Sequence, residues 1–286
     1  MLDPSETEQV SNLPPNQRHK FKVLFVHDAA QTARDLAPHL NDLDIQTQLE
    51  PLAPILQMIK KIRASRADLV HVNYIRSPAI AAWLSLKRPY VLHAHGDDVR
   101  YGLGWKQKLA LRSSSLNFYA TVDLANKVPH SFLIPQPIDP AIFNEELYRN
   151  SDHLGKALYV IQTKSDPRLR FRESDYILEA KDYCKKRNLE LQTIQGGEIP
   201  YDLFPKFLSQ FSLLFDKEFP EKVLSKTALQ ALNIGLTVLK NGQEIHKGDW
   251  IRKHYAQNVA SLLASYYEAV LNKEDPEKIA KEAILN

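Results

Sequence analysis

"LIPQPIDPAIFNEELYRNSDHLGKALYVIQT", residues 133–163, decides how many sheets this chain builds. It opens on the end of an apolar strand. It then crosses residues 135–155, rich in Pro, Asn and Asp and without a period of either 2 or 3.6, and at Lys156 begins a fresh β-rich run. That is the composition of a connection between two folded units, with a sheet ending on one side and another starting on the other.

Reading outward toward the N-terminus, short strand-like runs alternate with helix-length amphipathic segments from Phe21 onward. The order is "FKVLFV", "QTARDLAPHLN", "DIQTQL", "PLAPILQMIKKIRAS", "ADLVHVNY", "PAIAAWLSLK" and "YVLHAH", with further strands at "LNFYATV" and "SFLIP". Strands separated by single helices pair in parallel through right-handed crossovers, which makes a doubly wound sheet. Reading outward toward the C-terminus, the same alternation restarts: "KALYVIQT", a helix from near Ser174 through "SDYILEAKDYCKKRN", "LELQTIQ", "YDLFPKFLSQF", "SLLFD", "VLSKTALQALNI" and "LTVLK". The expected organisation is a loose arm over residues 1–20, a Rossmann-like domain over 21–140, a linker over 141–155, a second Rossmann-like domain over 156–250 and terminal helices over 251–286. From Asp249 to Leu271 a helical stripe of Val259, Leu262, Leu263, Tyr266, Tyr267, Val270 and Leu271 reads as core packing, and "DPEKIAKEAIL" as a last helix with Asp275 as cap and Pro276 in the first turn.

Composition narrows the function. The 286 residues are 44% hydrophobic and 25% charged, with a formal net charge of +3 and pI near 8.7. That excess is too small and dispersed for a dedicated nucleic-acid binder. It leaves room for a weak peripheral encounter with anionic lipid. The single cysteine, Cys184, excludes an intramolecular disulfide and any Cys-rich zinc site. The polar first twenty residues hold no signal-peptide core, and no apolar run is long enough to span a bilayer. A cytoplasmic protein, at most peripheral to a membrane, is the expectation.

Loops after strands are where doubly wound sheets bind ligands. "HAHGDDVR", residues 93–100, is such a loop. His93 and His95 point the same way if the strand continues, but a zinc site needs a third ligand and a supporting shell, so no metal is expected. Two readings stay open. His95, Gly96 and Asp97 form part of a ligand rim, Gly96 allowing close backbone approach and the imidazole donating to a sugar or phosphate oxygen. Alternatively Gly96 serves only a turn and Asp97 with Arg100 only a local ion pair. A hydrolytic triad has no support, because the chain has no G-x-S-x-G elbow.

The segment "LIPQPIDPAIF", with Pro135, Pro137, Asp139 and Phe143, resembles the "IPNPVD...F" signature of GT-B glycosyltransferases, above all the retaining, nucleotide-sugar-dependent family four (glycosyl transferases group 1). "ADLVHVNY" followed by "PYVLHAHGDDVR" resembles the N-terminal half of that family. "TALQALNIGLTVLKNG" resembles its "EAMAxGxPVI" segment, with Gly235 in the glycine position. The resemblance spans roughly residues 21–242. It implies two Rossmann-like domains facing across a cleft, with C-terminal helices returning to the N-terminal domain, and no metal or other cofactor beyond the donor itself.

It also implies site residues. In "TKSDPRLRFRESDYILEA", Arg172 falls at the family's phosphate-binding lysine, and Arg168 or Arg170 at its partner arginine. Independently of the family, three arginines at alternate positions ahead of a helix N-terminus suit a diphosphate, although a solvated basic loop has the same composition. Of the family's Glu-x7-Glu pair, Glu218 takes the first position, which meets the donor sugar. The second, which holds the ribose diol, is Lys226, a donor-only side chain. The first loop, "VHDAAQTARD", has Ala29 and Ala30 where the family often has glycines. The expected function is therefore transfer of a sugar from a nucleotide-diphosphate donor to a glycan or lipid-linked acceptor, with retention. The competing expectations are a non-catalytic GT-B-like partner subunit that has lost donor chemistry, and a sugar-nucleotide epimerase on the same architecture.

Overall fold

The alternation becomes two parallel sheets for a local reason. Each strand is flanked by loop residues that release the chain, and each following helix carries one apolar stripe that must cover a sheet face. The computed structural model describes residues 20–28, 31–100, 102–148, 155–161, 167–216 and 223–285, without the side chains of 97, 167–174 and 282–285. The chain divides into two units, residues 1–135 with 257–286, and residues 136–256.

In the first unit the elements run β1 (Phe21–Val26), α1 (Thr32–Asp42), β2 (Ile45–Glu50), α2 (Ile55–Ala64), β3 (Leu69–Asn73), α3 (Ser77–Ser85), β4 (Tyr90–Ala94), the short α4 (Asp97–Arg100), α5 (Trp105–Ser113), β5 (Leu116–Tyr119) and β6 (Ser131–Leu133). The six strands are all parallel, in the order β2-β1-β3-β4-β5-β6. Alternation along β1 sends Leu24 and Val26 to one face and Val23 and Phe25 to the other. The first face packs against α2, α3 and α5 through Met58, Ile62, Ala82 and Leu111. The second packs against α1 and the C-terminal helices.

The second unit holds α6 (Glu145–Tyr148), β7 (Lys156–Ile161), α7 (Pro167–Arg187), β8 (Glu190–Gln195), α8 (Phe204–Leu208), β9 (Leu213–Phe215), α9 (Lys226–Ile234), β10 (Thr237–Lys240) and β11 (Gln243–Ile245). Its sheet runs β11-β10-β9-β7-β8, parallel except for the edge strand β11. Both sheets place their second strand outside the first and their third inside. Each therefore has a switch point, at β1/β3 and at β7/β9. α9 is buried on nearly every side, and it ends at Gly235, whose φ of 98° terminates the helix in the left-handed region. A Cβ there would also meet the Glu145 carboxyl carbon at 2.8 Å, the far end of a side chain that can turn aside, so the positive φ is what calls for glycine.

The chain enters and leaves this unit side by side. Ile138 N donates to His254 O at 2.7 Å and Ala256 N donates to Ile138 O at 2.8 Å. After that exit α10 (Ala256–Asn272) and α11 (Pro276–Leu285) return to the first unit. Val259, Leu263, Tyr266 and Tyr267 are buried against β1, β4 and β5, so the tyrosine-bearing helix is core.

Two element boundaries differ from expectation. α7 starts at Pro167 and not near Ser174. Proline fits a first helical turn, and nothing from Arg168 to Glu173 breaks a helix, so the alternating arginines that read as a loop are helical. α10 starts at Ala256; residues 249–254 form a separate 3-10 turn, stopped before Tyr255, whose backbone is extended.

Candidate functional site

The carboxyl edge of the first sheet gathers His27 and Asp28 after β1, Asn73 and Tyr74 at the end of β3, and His95 and Gly96 after β4. The 93–100 loop is organised by a residue the sequence did not single out. Asp98 is fully buried, and its carboxylate accepts hydrogen bonds from the backbone N–H groups of Ile75 at 2.8 Å, Gly96 at 2.8 Å and His95 at 3.1 Å. Burial pushes the Asp98 carboxyl above the usual carboxylate range, and those three N–H groups pull it back. One side chain thus ties β3's exit to β4's exit.

Gly96 has φ 136°, and a Cβ at that position would run into the Arg100 guanidinium. Arg100 in turn meets Asp123, with Nε–Oδ2 at 2.9 Å and Nη2–Oδ1 at 3.2 Å, and Thr121 Oγ1 at 3.3 Å. Glycine here admits both a turn and a packed arginine. Asp97 is the first residue of α4, with its side chain outside the description.

His95 Nε2 lies 3.4 Å from Asn73 Oδ1, and its ring centroid 4.3 Å from that of His93. Behind it a file of imidazoles runs into the core. His93 and His71 are 5.4 Å apart, and His71 Nδ1 pairs with the Tyr267 hydroxyl at 2.6 Å, joining β3 to α10. The His93 ring lies near the Ile134 carbonyl, yet neither of its nitrogens makes a well-formed hydrogen bond. Burial holds His71 down to about 3 and His93 well below the ordinary histidine value. Among the described residues no three His, Cys, Asp or Glu side chains group to hold a metal ion.

These buried rings give the fold an acid sensitivity of known sign. The unfolded chain takes protons near pH 6.5, whereas the folded one keeps His71 neutral to about 3. Stability is therefore full above pH 6.5 and falls below it, by about 1.4 kcal/mol per pH unit for each such imidazole. Urea denaturation at pH 7.5 and 5.0 should show a loss of about 2 kcal/mol from His71, with a loss of the same sign from His93, and His71→Phe should flatten the slope. An unchanged midpoint would mean that the rings are solvated.

In the second unit the switch point lies between β7 and β9. The segments leaving it are 162–166, outside the described residues, then α7, and from β9 Asp216, then 217–222, which are also outside. Glu218 therefore lies outside the described residues, as do Ala29 and Ala30 of the first loop. Arg168, Arg170 and Arg172 occupy the first two turns of α7, which has no acidic residue in its first turn. Spacing by four puts Arg168 and Arg172 at neighbouring positions on one helix face, with Arg170 on another.

Lys226 is the first residue of α9 and only 9% exposed, with Nζ 6.0 Å from the Tyr201 ring centroid. Ser225 caps the helix, its Oγ accepting from Ala228 N at 3.0 Å. Beside it is a pair that no local pattern announces: Lys240 Nζ and Asp216 Oδ2 are 2.9 Å apart, both side chains almost fully buried, and Asp216 also accepts from Ser225 N at 3.2 Å. Asp216 follows β9 and Lys240 ends β10, so 24 residues of sequence separate partners that adjacent strands bring together.

Two α/β units of this winding are the architecture of the GT-B glycosyltransferase fold. Residues 10–122 match the family described as the glycosyl transferase 4-like domain. Two solved structures share the fold at 12% identity. One is AviGT4, a glycosyltransferase involved in avilamycin A biosynthesis, with a TM-score of 0.55 over 88% of this chain and 98% of its own. The other is a sucrose-phosphate synthase from Thermosynechococcus elongatus, with a TM-score of 0.52 over 92% of this chain and 97% of its own. No curated protein sequence matches the chain.

Proposed function

We propose that this protein transfers a sugar from a nucleotide-diphosphate donor to a hydroxyl of a glycan or lipid-linked acceptor, with retention of configuration and without a metal. The observation that carries the reading is the position of Arg168, Arg170 and Arg172. They sit in the opening two turns of the helix that follows a switch-point strand, where the macrodipole is positive and the first turn holds no acidic residue. Three cations at that end are unfavourable on their own and become favourable with an anion present. As the glycosidic bond to the donor breaks, negative charge builds on the departing diphosphate, and fixed guanidinium groups stabilise that charge without reorganising.

In this reading Arg168 and Arg172 hold the diphosphate, with Arg170 adding charge to the same helix end. Glu218, two residues beyond Asp216, accepts from sugar hydroxyls. His95 and Asp97 serve the acceptor from the first unit, His95 receiving the proton of the attacking hydroxyl, while Gly96 leaves the backbone open. Both solved relatives bear names of glycosyl-transferring enzymes, in keeping with this class.

Calorimetric titration with a panel of nucleotide sugars tests it. Arg172→Ala should weaken binding by about 1.5–3 kcal/mol, roughly 10- to 150-fold. Unchanged affinity would place the phosphates elsewhere.

One observation favours the second reading, a partner subunit without donor chemistry. Lys226 stands buried at the start of α9, where it offers hydrogen-bond donors and no acceptor to a ribose diol. Binding of none of the donors, together with tight association with another protein, would select that reading. Conversion of a donor with no acceptor present would instead indicate an epimerase.

A further inference from the structure

The face of the first unit formed by α2, α3 and α5 has an extreme charge distribution. α3 lies between the other two, and the layer is made of residues 51–67, 75–89 and 103–115. Those three stretches contain ten basic residues and no acidic one, four in the first stretch and three in each of the others. The whole chain has 37 basic and 34 acidic residues, so everything outside the layer has 27 basic and 34 acidic, a net −7 against +10. The small overall charge conceals this separation.

Some of these cations are engaged within the fold. Lys61 pairs with Glu50 at 2.6 Å, and Arg63 donates to the carbonyls of Ser85 and Leu84. Lys60, Arg66, Lys106, Lys108 and Arg112 are exposed. Large apolar side chains stand exposed among them: Leu56 and Leu86 at 74%, Trp105 at 66% and Leu109 at 37%. On α5, Trp105, Leu109 and Arg112 fall at i, i+4 and i+7, one stripe of the helix, with Lys108 beside it. Lys106 Nζ sits 5.4 Å from the Trp105 ring centroid. Leu86 ends α3 with φ 61°, where glycine would be cheaper, and presents its side chain to solvent.

We propose that this helical face docks the protein on a bilayer surface rich in anionic lipid. Exposed Trp and Leu enter the boundary between headgroups and acyl chains, and surrounding Lys and Arg pair with anionic headgroups. Charge complementarity alone would also suit a nucleic acid. The interleaved Leu56, Leu86, Trp105 and Leu109 favour the bilayer, because a polyanion offers them no apolar medium. The inference does not rest on the donor reading, since no residue assigned to sugar or phosphate lies in this layer.

Co-sedimentation of the full chain with phosphatidylcholine vesicles, with and without phosphatidylglycerol, tests it. Binding should require the anionic lipid and weaken with salt. The variant Lys106→Ser/Lys108→Ser/Arg112→Ser should bind on the order of a hundredfold more weakly. Trp105→Ser/Leu109→Ser should lose about tenfold and abolish the Trp105 part of any blue shift in fluorescence on binding. Both variants change exposed positions, so their melting temperatures and nucleotide-sugar titrations should match those of the parent. No sedimentation with anionic vesicles, or binding indifferent to both variants, overturns the proposal. Retention of nucleic acid without vesicle binding would assign the face to a soluble polyanion and overturn it equally.

Discussion

Lys240→Ala is expected to lower the unfolding free energy by about 3–5 kcal/mol. The Lys240 and Asp216 side chains are 5% and 3% exposed and 2.9 Å apart. Removing the lysine leaves a carboxylate in the interior with Ser225 N as its remaining hydrogen-bond donor among those described above, and an uncompensated buried charge is far more costly than the intact pair is stabilising. The double change Asp216→Leu/Lys240→Met removes both charges and should recover most of the loss. Urea denaturation of the three proteins provides the measurement. A loss under 1 kcal/mol for Lys240→Ala would show that water reaches the pair. Because Asp216 also holds the N-terminal cap of α9, the single variant should loosen Lys226 along with the helix start.

Asp98→Ala should cost about 3 kcal/mol or more, since it strips the acceptor from three backbone N–H groups at once and each buried donor left unpaired costs about 1–3 kcal/mol. Asp98→Asn keeps one carbonyl oxygen and should lose about half as much. The functional consequence separates the two units. If His95 receives the acceptor's proton, Asp98→Ala should lower turnover beyond what its stability loss explains, while nucleotide-sugar affinity, assigned to α7, stays at the parent value. Equal loss of both would mean that Asp98 supports the fold and nothing more specific.

Much of the architecture was legible because it is written in local periods. Val23 to Val26 alternate faces, the Val259–Leu271 stripe repeats at helical spacing, and the aperiodic stretch before Lys156 marks the break between sheets. The helices α4 and α5 carry no clear stripe in the sequence. Gly102 and Gly104 sit between them, and the burial of α5 rests on Ala110 and Leu111 alone. The start of α7 is hidden because an arginine at every second residue carries no helical stripe, and only proline's fit to a first turn marks it.

For the candidate site, the end of β4 could be named from sequence, since a strand followed by His95 and Gly96 must deliver them to the sheet's carboxyl edge. The choice between Asp97 and Asp98 as the organiser could not. That depends on which carboxylate the first turn of α4 directs beneath the N–H groups of Ile75, His95 and Gly96, and Ile75 is supplied by a different strand's exit.

Two α/β units with largely parallel sheets, and the helices at the end, are written in the sequence, because strand and helix periods are properties of neighbouring residues. The tertiary structure alone decided that Asp216 meets Lys240, that His71 reaches Tyr267, and that ten basic residues from three separate stretches share one helical layer. Those meetings follow from the order in which crossovers set the strands side by side, and no local period records that order.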